Sequence, residues 1–319
     1  MVKFILVCLL LGLYGMAQAQ DTLSVTPVSF SKSLAEKFSE TRILNVEYGN
    51  FGPYDFKSKL LGQELGQERL EVQQNVKTNI NIPVLQKQKW RFTVSQFYHF
   101  QNASVENYEQ GDEKLHYFKS ALSLTYFSSL FKKPVIYNAS VLGDASSEHF
   151  GRLQGLVSAI MVLKRSKKES LNIGLLGRLD PTAQIPAFPI VTYTRSIFNN
   201  AWRLDVVLPS RLMLQTRLTQ NGRLSIGSEF ETSNFYIYTG GLVDNANDFE
   251  FRQFGVKSGL VYEHLIKDKI VLTGRLGVMN VFQSGMTVKG ETFKEDNFVM
   301  EFEPKPSGYF SLGISFNPF

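Results

Sequence analysis

The sequence predicts an all-β fold, a transmembrane antiparallel up-and-down β-barrel of about fourteen strands, or twelve if weak segments merge. Three observations predict it. Long segments alternate apolar and polar residues with period two, the connections between them alternate short and long, and aromatic residues gather near segment ends.

The alternation is clearest in "RLEVQQNVKTNINIPV", Arg69 to Val84. Leu70, Val72, Val76, Ile80 and Ile82 share one face, and Glu71, Gln73, Asn75, Lys77, Asn79 and Asn81 share the other. A third segment puts Trp90, Phe92, Val94, Tyr98 and Phe100 on one face. A fourth sets Phe118, Leu122, Leu124 and Tyr126 against Lys119, Ala121, Ser123 and Thr125. With a first strand around Leu44 to Tyr48, the others fall near 134–143, 152–163, 170–179, 188–198, 201–208, 211–218, 223–240, 251–263, 269–281 and 308–319. Several reach ten residues, which spans a bilayer when tilted. The segment at 223–240 reads as one strand projecting beyond the membrane, bulged near Ser233-Asn234.

Short connections lie at 83–88, 128–133, 164–169, 199–200, 219–222 and 264–269, and Asn221-Gly222 is a strong hairpin signal. The intervening ones, 50–68, 102–114, 143–151, 180–187, 241–250 and 282–307, are longer, with one tight exception at Pro209-Ser210. Short periplasmic turns and longer extracellular loops are the layout of a membrane barrel. Four short turns carry a net charge of +7, while four long loops are acidic. Solvated turns and loops are commonly charged, so this asymmetry decides nothing alone.

Residues 1–19 read as a cleaved signal peptide, with Lys3, an apolar run from Phe4 to Leu13, and Ala17-Gln18-Ala19 ahead of Gln20. The run is shorter than the ~20 residues of a spanning helix. Cys8 follows Val7 in mid-run, which does not fit a lipoprotein, and no other cysteine exists to form a disulfide. Residues 20–40 read as a periplasmic lead and 41–319 as the barrel. The net charge is +5, without the concentrated basic face interleaved with aromatics that nucleic acid requires.

Alternating strands also build soluble barrels, where the apolar face is the core. The unbroken amide-rich face of the Arg69–Val84 stretch, the aromatic positions (Tyr48, Trp90, Tyr98, Tyr126, Tyr193, Trp202, Phe230, Tyr236, Tyr262 and Phe310) and the unequal loops favour lipid outside and water inside. The final "GYFSLGISFNPF" resembles the C-terminal assembly signal of Gram-negative outer-membrane barrels, although Pro318 shifts Phe319 to three residues past Phe316. The stretch "PAFPIVTYTRSIFNNAWRLDVVLPSRLMLQTRL" resembles uncharacterised outer-membrane barrel families of Bacteroidota-type bacteria. These resemblances imply a fold and an outer-membrane address. They also imply two partners, outer-membrane lipid and the barrel-assembly machinery that would read the strand ending at Phe319. They imply no activity.

The candidate site is a lumen charge cluster of Arg178, Arg203, Asp205, Arg211, Arg217, Arg223, Glu229, Lys257 and Arg275, with Glu231 and Glu263 beside it. A hairpin pairing Thr216 with Leu224 sets Arg211 against Glu229 and Arg217 against Arg223. A second, pairing Tyr262 with Ile270, sets Lys257 against Arg275. Opposed like charges need hydration or a bound partner. The cluster is either a network filling a narrow barrel or a basic patch selecting acidic solutes. His99, His116, His149 and His264 lack metal-ligand spacing, and neither His99 with Ser95 nor His116 with Ser120 is close enough along its strand for Ser–His chemistry. The acidic stretches "QGDEK" and "DNANDFE" lack calcium-loop spacing, and no phosphate-binding or dinucleotide motif appears. No cofactor or metal is expected. The glycines Gly255, Gly259, Gly274 and Gly277 read as bends or close backbone approaches. The sequence therefore points to a non-enzymatic channel, transporter or surface-structural barrel with a polar, partly basic lumen. The alternatives are an outer-membrane lipid hydrolase and a secreted soluble β-barrel that binds a ligand. Oligomeric state is left open.

Overall fold

The computed structural model describes residues 42–106, 113–147, 149–166, 168–183, 186–199, 201–243 and 246–316, with backbone alone at 239–243 and 246–247. The strands are β1 (Leu44–Phe51), β2 (Tyr54–Leu60), β3 (Gln63–Gln86), β4 (Trp90–Val105), β5 (Glu113–Leu130), β6 (Lys133–Ala145), β7 (Phe150–Arg165) and β8 (Glu169–Leu179). They continue with β9 (Ala187–Ile197), β10 (Trp202–Leu208), β11 (Arg211–Thr219), β12 (Gly222–Val243), β13 (Ala246–Ile266), β14 (Ile270–Val288), β15 (Phe298–Pro304) and β16 (Ser307–Phe316). Every neighbouring pair is antiparallel, and β1 closes the sheet by pairing with both β3 and β16.

The sixteen segments make fourteen wall strands. β1 and β2 lie end to end against β3, in one register from Leu44↔Ile80 to Tyr54↔Leu70. β16 and β15 do the same against them, with Phe51↔Tyr309 continuing as Phe56↔Pro304. The interruptions fall at Gly52-Pro53 and Lys305-Pro306. Proline has no N–H to give a ladder. The stretches expected as long loops at 50–68 and 282–307 are thus largely strand, carrying the wall past the prolines as β2, β15 and the ends of β3 and β14. Closure follows from the solvent, because in hydrocarbon an open edge would leave a row of backbone groups unpaired.

The two faces divide as lipid and lumen. Leu122 (52% exposed), Leu276 and Leu312 (63% each) point outward, while their neighbours Ala121, Ser123 and Ser311 are buried within. Trp90, Tyr126 and Tyr137 form a ring ladder near the short-turn end, with centroids 4.3 and 6.4 Å apart. In the Arg69–Val84 stretch, Val72 and Ile82 face out and Gln73 and Asn75 face in. Leu70 and Glu71 depart from the expectation. A bulge at Glu71, between the pairs Leu70↔Val105 and Val72↔Ser104, resets the alternation, so Leu70 is buried and Glu71 exposed.

Two further expectations change. The bulge lies not at Ser233-Asn234 but on β14 at Phe282, between Phe254↔Gln283 and Gly255↔Val281. The second hairpin pairs Tyr262 with Gly274, because β13 runs on to Ile266 and the turn needs only Lys267, Asp268 and Lys269, the first two with positive φ. Lys257 therefore opposes Met279 rather than Arg275. The first hairpin pairs as expected, with Thr216↔Leu224, Arg211↔Glu229 and Arg217↔Arg223.

One curvature device matters for the site. Gly227, Gly259 and Gly277 are direct cross-strand partners on β12, β13 and β14. A Cβ on any of them would stand 2.1 Å from a neighbouring carbonyl oxygen. Only glycine lets these strands approach so closely, and a glycine row of this kind bends a sheet sharply.

Candidate functional site

The lumen is crossed by the upper part of the β12–β13 hairpin. The wall beside it is low, since β10 and β11 have only 7 and 9 residues and turn at Pro209-Ser210. β12 and β13 have 22 and 21. Phe230 N donates to Ser210 O at 2.8 Å, and past that point β12 is laddered to β13 alone among the described residues. β12 lies five strands from β7 and six from β4 around the wall. Opposite backbones of a fourteen-strand barrel stand roughly 25 Å apart at a strand spacing of about 4.8 Å. Side chains cannot bridge that distance, so the hairpin must bend inward from the glycine row.

Its contacts show that it does. Phe235 packs on the His99 ring of β4, centroids 4.9 Å apart. The Tyr236 hydroxyl donates to Asp144 Oδ1 at 2.9 Å, and Tyr117 donates to Oδ2 of the same carboxylate at 3.0 Å. Arg152 of β7 donates to Glu250 Oε1 at 2.7 Å, and Glu250 also receives the fully buried Arg252. Lys289, just past the end of β14, holds Asp248 of the hairpin at 3.2 Å and donates to the Phe150 carbonyl at 2.8 Å. The docking surface is a glycine, because a Cβ at Gly151 would lie 2.3 Å from the Tyr236 ring. Phe293, from the connection after β14, seals the outer side against Phe230 and Phe254. Phe230 and Tyr236, expected in the outer aromatic girdle, therefore belong to this inward body.

The candidate cluster is distributed along the lumen rather than gathered at one point. Arg178 meets Asp180 at 3.0 Å and Gln154 at 2.9 Å. Burial pushes the Asp180 carboxyl up, but Arg152 and Arg178 outweigh it and hold the group below its ordinary value. Asp205 receives Arg211 at 2.9 Å, along its own wall, instead of leaving Arg211 to Glu229. Glu229 pairs with Arg275, which also faces Glu47 at 3.7 Å. Arg223 turns from Arg217 to Glu263, 2.5 Å away, and Glu263 is shared with Arg42. Arg217 is exposed near the 219–222 turn, and exposure to solvent weakens the repulsion of opposed like charges. Glu231 bridges Lys257, at 3.3 Å, and Lys77 from the far wall. Arg203 is half-buried beside Ser196 and Gln215 in register. Glu47, Arg42, Lys77, Asp144 and Arg152 belong to the same networks. Alternation already placed Lys77 inward, but cross-lumen partners leave no local mark in a sequence.

The histidines have aromatic neighbours. His116 Nδ1 meets the Tyr98 hydroxyl at 3.0 Å, His264 Nδ1 meets Tyr262 at 3.1 Å, and Ser120 donates to Gln96 instead of a histidine. Among the described residues no group of three His, Cys, Asp or Glu is placed to hold a metal. The residues 107–112, 244–245 and 317–319 that bear on the acidic loops and on Phe319 lie outside the described residues, as do the signal and lead segments.

A closed, lipid-faced, water-lined barrel is the architecture of outer-membrane β-barrel proteins. No protein-family model and no curated protein matches the chain. Solved structures do resemble it. An outer-membrane channel from Pseudomonas putida F1 aligns over 92% of this chain and 100% of its own, at 12% identity and a TM-score of 0.40. A FadL homologue from Pseudomonas aeruginosa aligns over 92% and 95%, at 11% identity and 0.42. The outer-membrane protease OmpT from Escherichia coli aligns over 88% and 99%, at 6% identity and 0.26. At these values the likeness is one of fold.

Proposed function

We propose that the chain is a non-enzymatic channel or transporter of the Gram-negative outer membrane, whose passage is closed at the long-loop end by the β12–β13 hairpin. The inward fold of that hairpin carries the reading. A purely structural barrel has no need of a tall hairpin held across its lumen by Tyr236–Asp144 and Arg152–Glu250. Lumen cations paired with carboxylates suit a polar passage of weak charge selectivity. Lipid would surround the exposed apolar band, and the assembly machinery would engage the last strand. The resemblance to Bacteroidota-type barrels agrees with that address.

The test is conductance in a planar bilayer. Removal of residues 234–252, with Ser233 and Gln253 (partners across the hairpin) joined by a two-residue turn, should convert small or rare openings into a steady, much larger conductance. Equal conductance before and after the deletion would overturn the proposal, as would silence of both proteins in barrels that still resist unfolding in cold detergent.

A further inference from the structure

Below the folded-in hairpin the lumen holds a cavity of about 230 Å³. Its walls come from six strands, β1, β3, β4, β5, β12 and β14. β4 and β5 give Phe97, His99 and Tyr117, β12 gives Phe230 and Asn234, and β1 and β3 give the amides Asn45 and Asn79. Two side chains stand out. His99 is 2% exposed and its Nε2 has no hydrogen-bond partner, and Asn234 is 6% exposed with Oδ1 likewise unsatisfied. Buried polar atoms without partners cost free energy, and a native structure that keeps such atoms on neutral side chains around one cavity has a use for them.

The charges define the ligand by their balance. Three carboxylates (Glu47, Glu229, Glu231) and three cations (Lys77, Lys119, Arg275) line the space. Glu231 holds Lys77, Arg275 holds Glu229 and faces Glu47, and Lys119 lies over the Phe97 ring at 5.0 Å. A solute with net charge would have to break one of these pairs. Three atoms at the cavity lack a hydrogen-bond partner, and one of them, Arg275 Nε, already has its charge met by Glu47 at 3.7 Å. The other two belong to neutral groups, an amide oxygen that accepts and an imidazole nitrogen that donates or accepts by tautomer. A hydroxyl can serve both. Phe97 and Tyr117 supply apolar faces for the C–H side of a ring. The volume equals that of roughly seven or eight waters, at about 30 Å³ each, enough for one six-membered polyol ring.

We infer that this cavity is a binding site for a small, uncharged, polyhydroxylated solute of monosaccharide size, held through His99 and Asn234. The site exists whether or not the barrel conducts, so conductance and binding fail independently.

The experiment is isothermal titration calorimetry of the full chain in detergent with methyl α-D-glucopyranoside, glucosamine, glucuronate and glycine as probes. The uncharged glycoside should bind saturably, at least tenfold tighter than the cationic, anionic or zwitterionic probe. H99F keeps an aromatic ring against Phe235, and N234L keeps the volume, so both should fold. Each should weaken the glycoside at least tenfold. Tighter binding of a charged or zwitterionic probe would overturn the assignment. So would absence of saturable glycoside binding, or binding that both substitutions leave unchanged in folded barrels.

Discussion

At the scale of single residues, direction matters more than composition. Val76 and Asn75 are adjacent, yet Asn75 is buried in the lumen, and Val76 sits between Tyr48 and Phe100 on the outward face. Val76→Asp should therefore impair membrane assembly. A cation at mid-bilayer costs about 2–4 kcal/mol and an acid less. Asn75→Asp should assemble normally, and urea titration of both in lipid vesicles separates them. Glu263 gives a second case. It is 6% exposed and compensates both Arg42 and Arg223, so Glu263→Gln leaves two lumen guanidiniums short of a counter-charge. Breaking a buried pair costs on the order of 3–5 kcal/mol, and the same titration should show a loss of that order, reduced by whatever water reaches the lumen. The pairing of Arg223 was only half legible. The register of the 219–222 turn correctly set it against Arg217, but not its direct partner on the other side, Glu263, which depends on the register of β12 with β13.

At the scale of elements, strands were legible wherever alternation ran unbroken, and hidden where proline or polarity interrupted it. β2 and β15 have only seven residues each and are cut off from β1 and β16 by Gly52-Pro53 and Lys305-Pro306, so their short alternation reads as loop. Their outward row is charged, with Asp55, Lys57, Lys59, Glu301 and Glu303, as befits wall above the apolar band, while Phe56 and Ser58 are buried within. Charge holds them: Lys305 donates to Asp55 at 3.0 Å, and Lys59 lies 2.7 Å from Glu303. The hydrogen bond from Lys305 holds the Asp55 carboxyl below its ordinary value, and that from Lys59 does the same for Glu303. Groups with a lowered folded-state pKa add stability that is present above their unfolded values and is lost as pH falls through the folded ones. The β2–β15 ladder should thus loosen selectively once pH drops below the ordinary carboxylate range of about 4. Hydrogen exchange read at Phe56 to Lys59 should rise there, while β5 and β6 stay protected. Uniform protection down to pH 2 would refute this.

At the scale of the whole molecule, fourteen wall strands and their two faces follow from a pattern each segment carries locally. The folded-in hairpin does not. β12 alternates in the same way whether it stands in the wall or crosses the lumen. What decides is its length against that of β10 and β11, the glycine row beside it, and a glycine at 151 on the opposite wall to receive Tyr236. The disparity in segment length was present in the sequence as the one tight connection among long ones, Pro209-Ser210, and was the signal to follow. The inward fold also has a consequence for how molecules meet. Beyond Phe230, β12 is laddered on one side only among the described residues, and its second edge is turned into the lumen. Swung outward, that edge would offer a row of donors and acceptors to an extended strand of another chain. On the proposed reading, closing the passage would also keep copies of the molecule from zipping together. Gly151→Val, which leaves no room for the Tyr236 ring, should hold the hairpin out and give concentration-dependent self-association in sedimentation velocity, whereas the parent chain should show none.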